Sequence, residues 1–174
     1  MKCLIPKIFI ALITPLITFS QNEKGIWLTN KFKSADTILL VSHKPNAGFT
    51  DQFSDKNGKQ IMLPKLIIAG KPNRKIITEQ KVISGKEIDE LIGILARPFK
   101  DSISSQGGCF TPHQAIFIIK NGKTSYIDIC FHCGSYETSK DLSGIPPFDM
   151  RRWKELKGYF IRHGFKYEID KNEN

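Results

Sequence analysis

The dipeptide Asn121-Gly122 constrains this chain more than any other feature. It separates two β-rich runs, Ala115 to Lys120 and Lys123 to Phe131. The favoured two-residue hairpin turn needs positive φ at both central positions, which asparagine and glycine tolerate and most residues do not. The pair therefore predicts an antiparallel hairpin over 115–131 in which Lys120 faces Lys123. Each step outward then fixes another pair: His113 falls opposite Cys130, Phe110 opposite Cys133, and Cys109 beside Cys133. Directly opposed Cβ atoms lie about 4.5–5.5 Å apart, close enough for a disulfide or a shared ligand.

The rest of the chain supplies partners for this hairpin. Thr37 to Val41 is a β-branched and aliphatic run that reads as a strand. From His43 to Pro64 the chain is polar and turn-rich, a long loop or a loose hairpin. Asp55, Asn57 and Gly58 do not make a calcium loop, because Phe53 and Pro64 stand at its first and last ligand positions, where acids are needed. Leu66 to Ala69 and Ile76 to Thr78 read as strands around a Gly70-Lys71-Pro72-Asn73 turn. Ser84 and Glu87 have capping-box spacing, Ile88, Leu91, Ile92 and Leu95 follow at helical spacing, and Pro98 stops the helix, which spans about 85–96. Asp149 caps a second helix over about 149–163, with Met150, Trp153, Leu156 and Phe160 on one side and Gly164 at its end. Phe165, Tyr167 and Ile169 alternate with polar residues and predict a final short strand. This order implies an α+β fold on a mainly antiparallel sheet, with nothing that divides residues 21–174 into more than one domain.

The N-terminus reads as a secretory signal peptide over residues 1–20. Two lysines lie in Met1–Lys7, an apolar run follows from Ile8 to Phe19, and small residues precede Gln21. The run is shorter than the roughly 20 residues needed to span a bilayer, and no other stretch is a transmembrane candidate. Export, to a periplasm or outside the cell, is the expectation. Cleavage would leave 24 basic against 17 acidic residues, a net charge of about +7 compared with +9 for the whole chain. For an exported chain such an excess points away from nucleic acid and towards an anionic envelope component or an acidic protein, or serves solubility alone. The basic residues concentrate on the second helix, where Arg151, Arg152, Lys154, Lys157 and Arg162 form a candidate face for an anionic partner. The plainer alternative is a solvated face, with Trp153 and Phe160 turned into the core.

Cys3 leaves with the leader, so three cysteines remain to be explained. An exported chain should pair two of them. Cys109–Cys133 fits the hairpin register best and leaves Cys130 as a buried thiol, with Cys130–Cys133 as the alternative pairing. A second reading is a zinc site of Cys109, His113, Cys130 and Cys133, a Cys3His set suited to tetrahedral coordination, with His132 as an alternative ligand. Zinc is the one cofactor these residues suggest. A third is thiol–disulfide exchange at Cys130-Phe131-His132-Cys133. Redox pairs of this spacing usually open a helix, whose dipole lowers the thiol pKa, whereas this one ends a strand. Tyr126 and Asp128 share the hairpin face of Cys130 and are placed to orient His113. No nucleophile elbow, phosphate-binding glycine loop or metalloprotease helix is present.

The stretches Cys109-Phe110-Thr111-Pro112-His113-Gln114-Ala115-Ile116-Phe117 and Ile129-Cys130-Phe131-His132-Cys133 resemble a family of small uncharacterised exported proteins with C-F-x-P-x-x-A-I and I-C-F-x-C motifs. The resemblance implies no activity. In that pattern an arginine and then a histidine follow the proline, where this chain has His113 and Gln114. The departure weakens the metal reading and favours a disulfide. The expectation is thus an exported small binding or structural protein clamped at Cys109, Cys130 and Cys133. The rival is an exported thiol–disulfide or metal-dependent enzyme centred on Cys130 and Cys133.

Overall fold

A computed structural model describes residues 25–46, 52–54, 57–97 and 110–169. Asn121 and Gly122 sit at φ 50° and 73°, both in the left-handed region their turn requires. The strands they join, β7 (Gln114–Lys120) and β8 (Lys123–Cys130), pair with Lys120 opposite Lys123 and Gln114 opposite Ile129. The ladder stops there: the His113 N–H donates to the carbonyl of Ile129, the residue already opposite Gln114, so the expected register, with His113 facing Cys130, does not continue outward. Around this hairpin, β1 (Thr37–His43), β6 (Ile77–Ile83) and β9 (Ser135–Thr138) complete a five-stranded sheet in the order β6-β1-β7-β8-β9, each pair antiparallel. The fold is α+β.

Both faces of the sheet centre are covered, which is why β7 reads as an unbroken apolar run rather than an alternating one. On one face Ile38, Leu40, Ile116, Ile118, Ile127 and Ile129 meet three helices. These are α1 (residues 25–33), α2 (Lys86–Leu95) and α3 (Met150–Arg162). Asp149 caps α3, its carboxylate accepting the Arg152 N–H at 2.7 Å. Trp153, Leu156 and Phe160 are buried as expected, whereas Met150, in the first turn, is exposed. At α2 only half of the capping box forms. Glu87 accepts the Ser84 N–H at 3.0 Å, but the cap itself is Gly85 at φ 50° and no side chain caps the helix.

On the opposite face Val41, Ala115 and Phe117 pack against Leu66 and Ile76. The segment that covers them differs from expectation. The expected strands at 66–69 and 76–78 do not pair with each other: Ile67–Ile68 (β4) pairs with Lys71–Pro72 (β5) across positive-φ Ala69 and Gly70, while β6 runs along β1. The physical reason is the length of β6, six of whose seven residues pair with β1, whereas the tight turn leaves room only for a two-residue hairpin. Gln52–Ser54 (β2) and Gln60–Met62 (β3) form the loose hairpin suspected in 43–64.

Two further differences have local causes. Helix α1 occupies what reads as an irregular lead-in, and it is held by Leu28 and Phe32, four residues apart and each 1% exposed. The tail expected as a final strand is instead a turn. Glu79 accepts the N–H groups of Lys166 and Tyr167 and Gln114 donates to the Tyr167 carbonyl, so side chains satisfy the backbone that a ladder would otherwise hold. Phe165 and Ile169 are buried without β pairing. Among the described residues no helix is long and apolar enough to cross a membrane.

Candidate functional site

The turn between β8 and β9 holds Cys130 and Cys133, which form a disulfide across a sequence separation of 3. This is the alternative pairing, not the Cys109–Cys133 bridge that the register favoured. With a tight turn directly after Cys130, Cys133 folds back on its own strand, and its N–H donates to the Cys130 sulfur at 3.1 Å. Cys109 lies outside the described residues, as does the leader expected over 1–20. Both bonded cysteines are nearly inaccessible, 2% and 5% exposed. Phe131 anchors the turn edge-on against Phe160 and Trp153 of α3, while His132 faces solvent. Because Cys130 and Cys133 are bonded to each other, the Cys3His zinc set is not assembled in this arrangement. Among the described residues no three histidine, cysteine or acidic side chains group to hold a metal ion.

The expected role of Asp128 changes more sharply. It does not orient His113. Strand alternation puts Asp128 on the face opposite the helices, beside Ala115 and, across β7, the end of β1. There it meets His43, whose Nε2 lies 2.9 Å from Asp128 Oδ1, and Asn46, whose Nδ2 donates to Asp128 Oδ2 at 2.7 Å. All three are buried, His43 at 0%, Asp128 at 2% and Asn46 at 4% exposure. His43 Nδ1 lies 2.9 Å from the Lys44 carbonyl, so both ring nitrogens face acceptors. A proton in each contact makes the His43–Asp128 pair neutral overall, whichever atom of the Nε2–Oδ1 contact holds it. His113 is half-buried nearby, its Nδ1 3.2 Å from the His43 carbonyl and its ring edge-on to Tyr167. Burial pushes its imidazole below the ordinary value, against the opposing pull of that carbonyl.

Asn46 and Asp128 form one wall of a cavity of about 160 Å3. Leu66 and Ile67 supply apolar surface, and Lys65, Tyr126 and Glu137 complete the lining. Glu137 stands directly opposite Asp128 in the β8–β9 ladder. Burial, and then the Asp128 charge, raise its carboxyl above the ordinary range. Burial likewise raises the Tyr126 phenol. Polar and charged groups thus make most of this concave lining and converge on it, an arrangement that suits a small polar molecule.

The basic face of α3 is smaller than its sequence suggests. Arg152 is not on it, because its guanidinium is fully buried, donating to the carbonyls of Pro146, Pro147 and Arg97 and lying over the Phe148 ring. Arg151 pairs with Glu155 and Arg162 with Glu90, while Lys154 is exposed and Lys157 half-exposed.

Sequence reasoning missed His43 and Asn46, which sit at the start of a polar stretch with no recognisable spacing. Their one signal was a histidine and an asparagine just after an apolar strand that pairs beside the hairpin. No family model, curated protein or solved structure matches this chain, so geometry alone carries the functional reading.

Proposed function

We propose that this is an exported protein that acts by binding, with Cys130–Cys133 as a structural staple. The observation that carries this reading is the placement of the two sulfurs. Both are buried where a strand ends in a turn, and neither opens a helix. A catalytic dithiol needs an exposed attacking thiolate with a depressed pKa, usually at such a terminus. The positive charge of the chain favours an anionic envelope component or an acidic protein as partner, met through the exposed lysines and arginines of α3.

The test is intact mass after thiol alkylation, on protein purified from its export compartment and read under native and denaturing conditions. The expected species begins near Gln21, carries no metal and alkylates at Cys109 alone. Zinc in the native mass, with three thiols alkylated after denaturation, would overturn the reading. So would multiple turnovers of a dithiol substrate. The staple also has a calculable size. Closing so short a loop stabilises by about 2 kcal/mol in the chain-entropy picture, whereas a Cys109–Cys133 bridge would contribute about 3.5 kcal/mol. Replacing Cys130 and Cys133 together by serine should therefore cost about 2 kcal/mol, and Cys109→Ser almost nothing.

A further inference from the structure

We propose that the cavity between β8, β9 and the segment after β1 binds a small zwitterion the size of an amino acid, its amine held by Asn46 and Glu137 and its carboxylate by Lys65. This rests on the binding reading and names the ligand class for it.

Three observations lead there. The first is Asn46. Its side chain is buried, lines the cavity and gives its Nδ2 to Asp128, yet its Oδ1 has no hydrogen-bond partner. Flipping the amide would not help, because it would set Oδ1 against the Asp128 carboxylate. A buried acceptor left unpaired costs about 1–3 kcal/mol, so a ligand N–H at this point recovers free energy.

The second is charge. The His43–Asp128 contact is neutral once each nitrogen–oxygen contact holds its proton. Glu137 and Lys65 are then the charges left on the lining, and they are of opposite sign. Among the described residues neither side chain has a hydrogen-bond or ion-pair partner, and they do not pair with each other. A cation alone would meet Lys65 unfavourably and an anion alone would meet Glu137. A molecule carrying both charges satisfies the two ends together.

The third is size. A dry cavity of about 150 Å3 accepts a molecule as large as benzene. The present volume of about 160 Å3 therefore suits a ligand of about six to eight heavy atoms, with Leu66 and Ile67 offering contact to a short aliphatic stem.

The experiment is calorimetric titration of the mature protein with L-alanine, ethylamine and propionate, which carry both charges, the positive alone and the negative alone. Alanine should bind at least tenfold more tightly than either fragment. Glu137→Gln should weaken alanine about tenfold and leave propionate no weaker, and Lys65→Met should erase the preference of alanine over ethylamine. Asn46→Ala should abolish alanine binding, and circular dichroism of each variant separates loss of binding from loss of fold. Propionate binding as tightly as alanine overturns the proposal. Alanine affinity indifferent to both Glu137→Gln and Lys65→Met overturns it as well. Absence of all three ligands from a protein with an inert disulfide overturns the ligand class and leaves the binding reading standing. Dithiol turnover removes that reading itself.

Discussion

Truncating Asp128 to alanine removes the carboxylate that two buried donors share. Its partners are His43 Nε2 at 2.9 Å and Asn46 Nδ2 at 2.7 Å, and neither side chain has the exposure to turn to bulk solvent. Each buried polar group left without a partner costs about 1–3 kcal/mol, which brackets the loss at about 2–6 kcal/mol. The neighbouring cavity of about 160 Å3 can admit water to the abandoned donors, so the lower half of that range applies. We expect about 3 kcal/mol. For a chain of this size that lowers Tm by about 6–12 °C. Urea unfolding at fixed pH, with an unchanged m-value, reads the difference directly. Asp128→Asn keeps one acceptor oxygen and should cost about 1 kcal/mol, because one of the two donors remains satisfied. A loss below about 0.5 kcal/mol for Asp128→Ala would show that His43 and Asn46 do not depend on the carboxylate, and the account of the cluster would fall.

Two further outcomes follow from the same physics. Glu137 is raised in the folded protein by burial and by Asp128, so folding favours its protonated form; that contribution is full below about pH 4.5 and is lost as pH rises through the higher folded value. Glu137→Gln should therefore leave stability unchanged in acid and raise it at neutral pH, and equal curves at both ends of an unfolding titration would refute this. Arg152→Ala strips three backbone carbonyls of their buried donor and should cost about 3 kcal/mol by urea unfolding; Arg152→Lys should not restore it, because one ammonium cannot span the carbonyls that the fork reaches.

What the sequence made legible was whatever rested on backbone requirements or on long periodicity. Asn121-Gly122 set the central register because its two left-handed positions leave little choice of turn, and α3 was readable from Asp149 and the spacing of Trp153, Leu156 and Phe160. The tail was misread because alternation of Phe165, Tyr167 and Ile169 speaks only of burial. Whether their backbone joins a ladder depended on Glu79 and Gln114, distant in sequence. Arg152 was misplaced for a related reason. On a helical wheel it belongs with the basic residues, and only the carbonyls of Pro146, Pro147 and Arg97 draw it inward. The site was half legible. Asp128 was on the correct face of the hairpin, but its partners come from the end of β1 and the turn beyond it, and no local pattern announces a contact spanning 85 residues.

The position of that contact in the sheet bears on why it exists. Along the face opposite the helices, Val41, Ala115 and Phe117 make an apolar layer, yet Asp128 of β8 stands directly opposite Ala115 and His43 follows Val41 two residues on along β1. Beside them β9 presents Glu137, directly opposite Asp128, a like-charge arrangement that disfavours pairing. The β7–β8 ladder runs past Asp128 in unbroken register, whereas β1 shifts register against β6 between Ser42 and His43, where the buried imidazole appears. Aliphatic residues would extend the apolar layer, and replacing a buried charged pair by well-packed apolar side chains is often neutral or stabilising by about 1–4 kcal/mol. The chain instead buries a histidine, a carboxylate and an amide at the edge of a cavity, with one amide oxygen unpaired. Local departures from the pattern that would best stabilise a fold concentrate where the fold is used. The sulfurs of Cys130 and Cys133 lie two residues further along β8 and in the turn that leads to β9. The staple therefore closes the turn that joins Asp128, which holds Asn46, to Glu137, and so links the two sides of the proposed amine site.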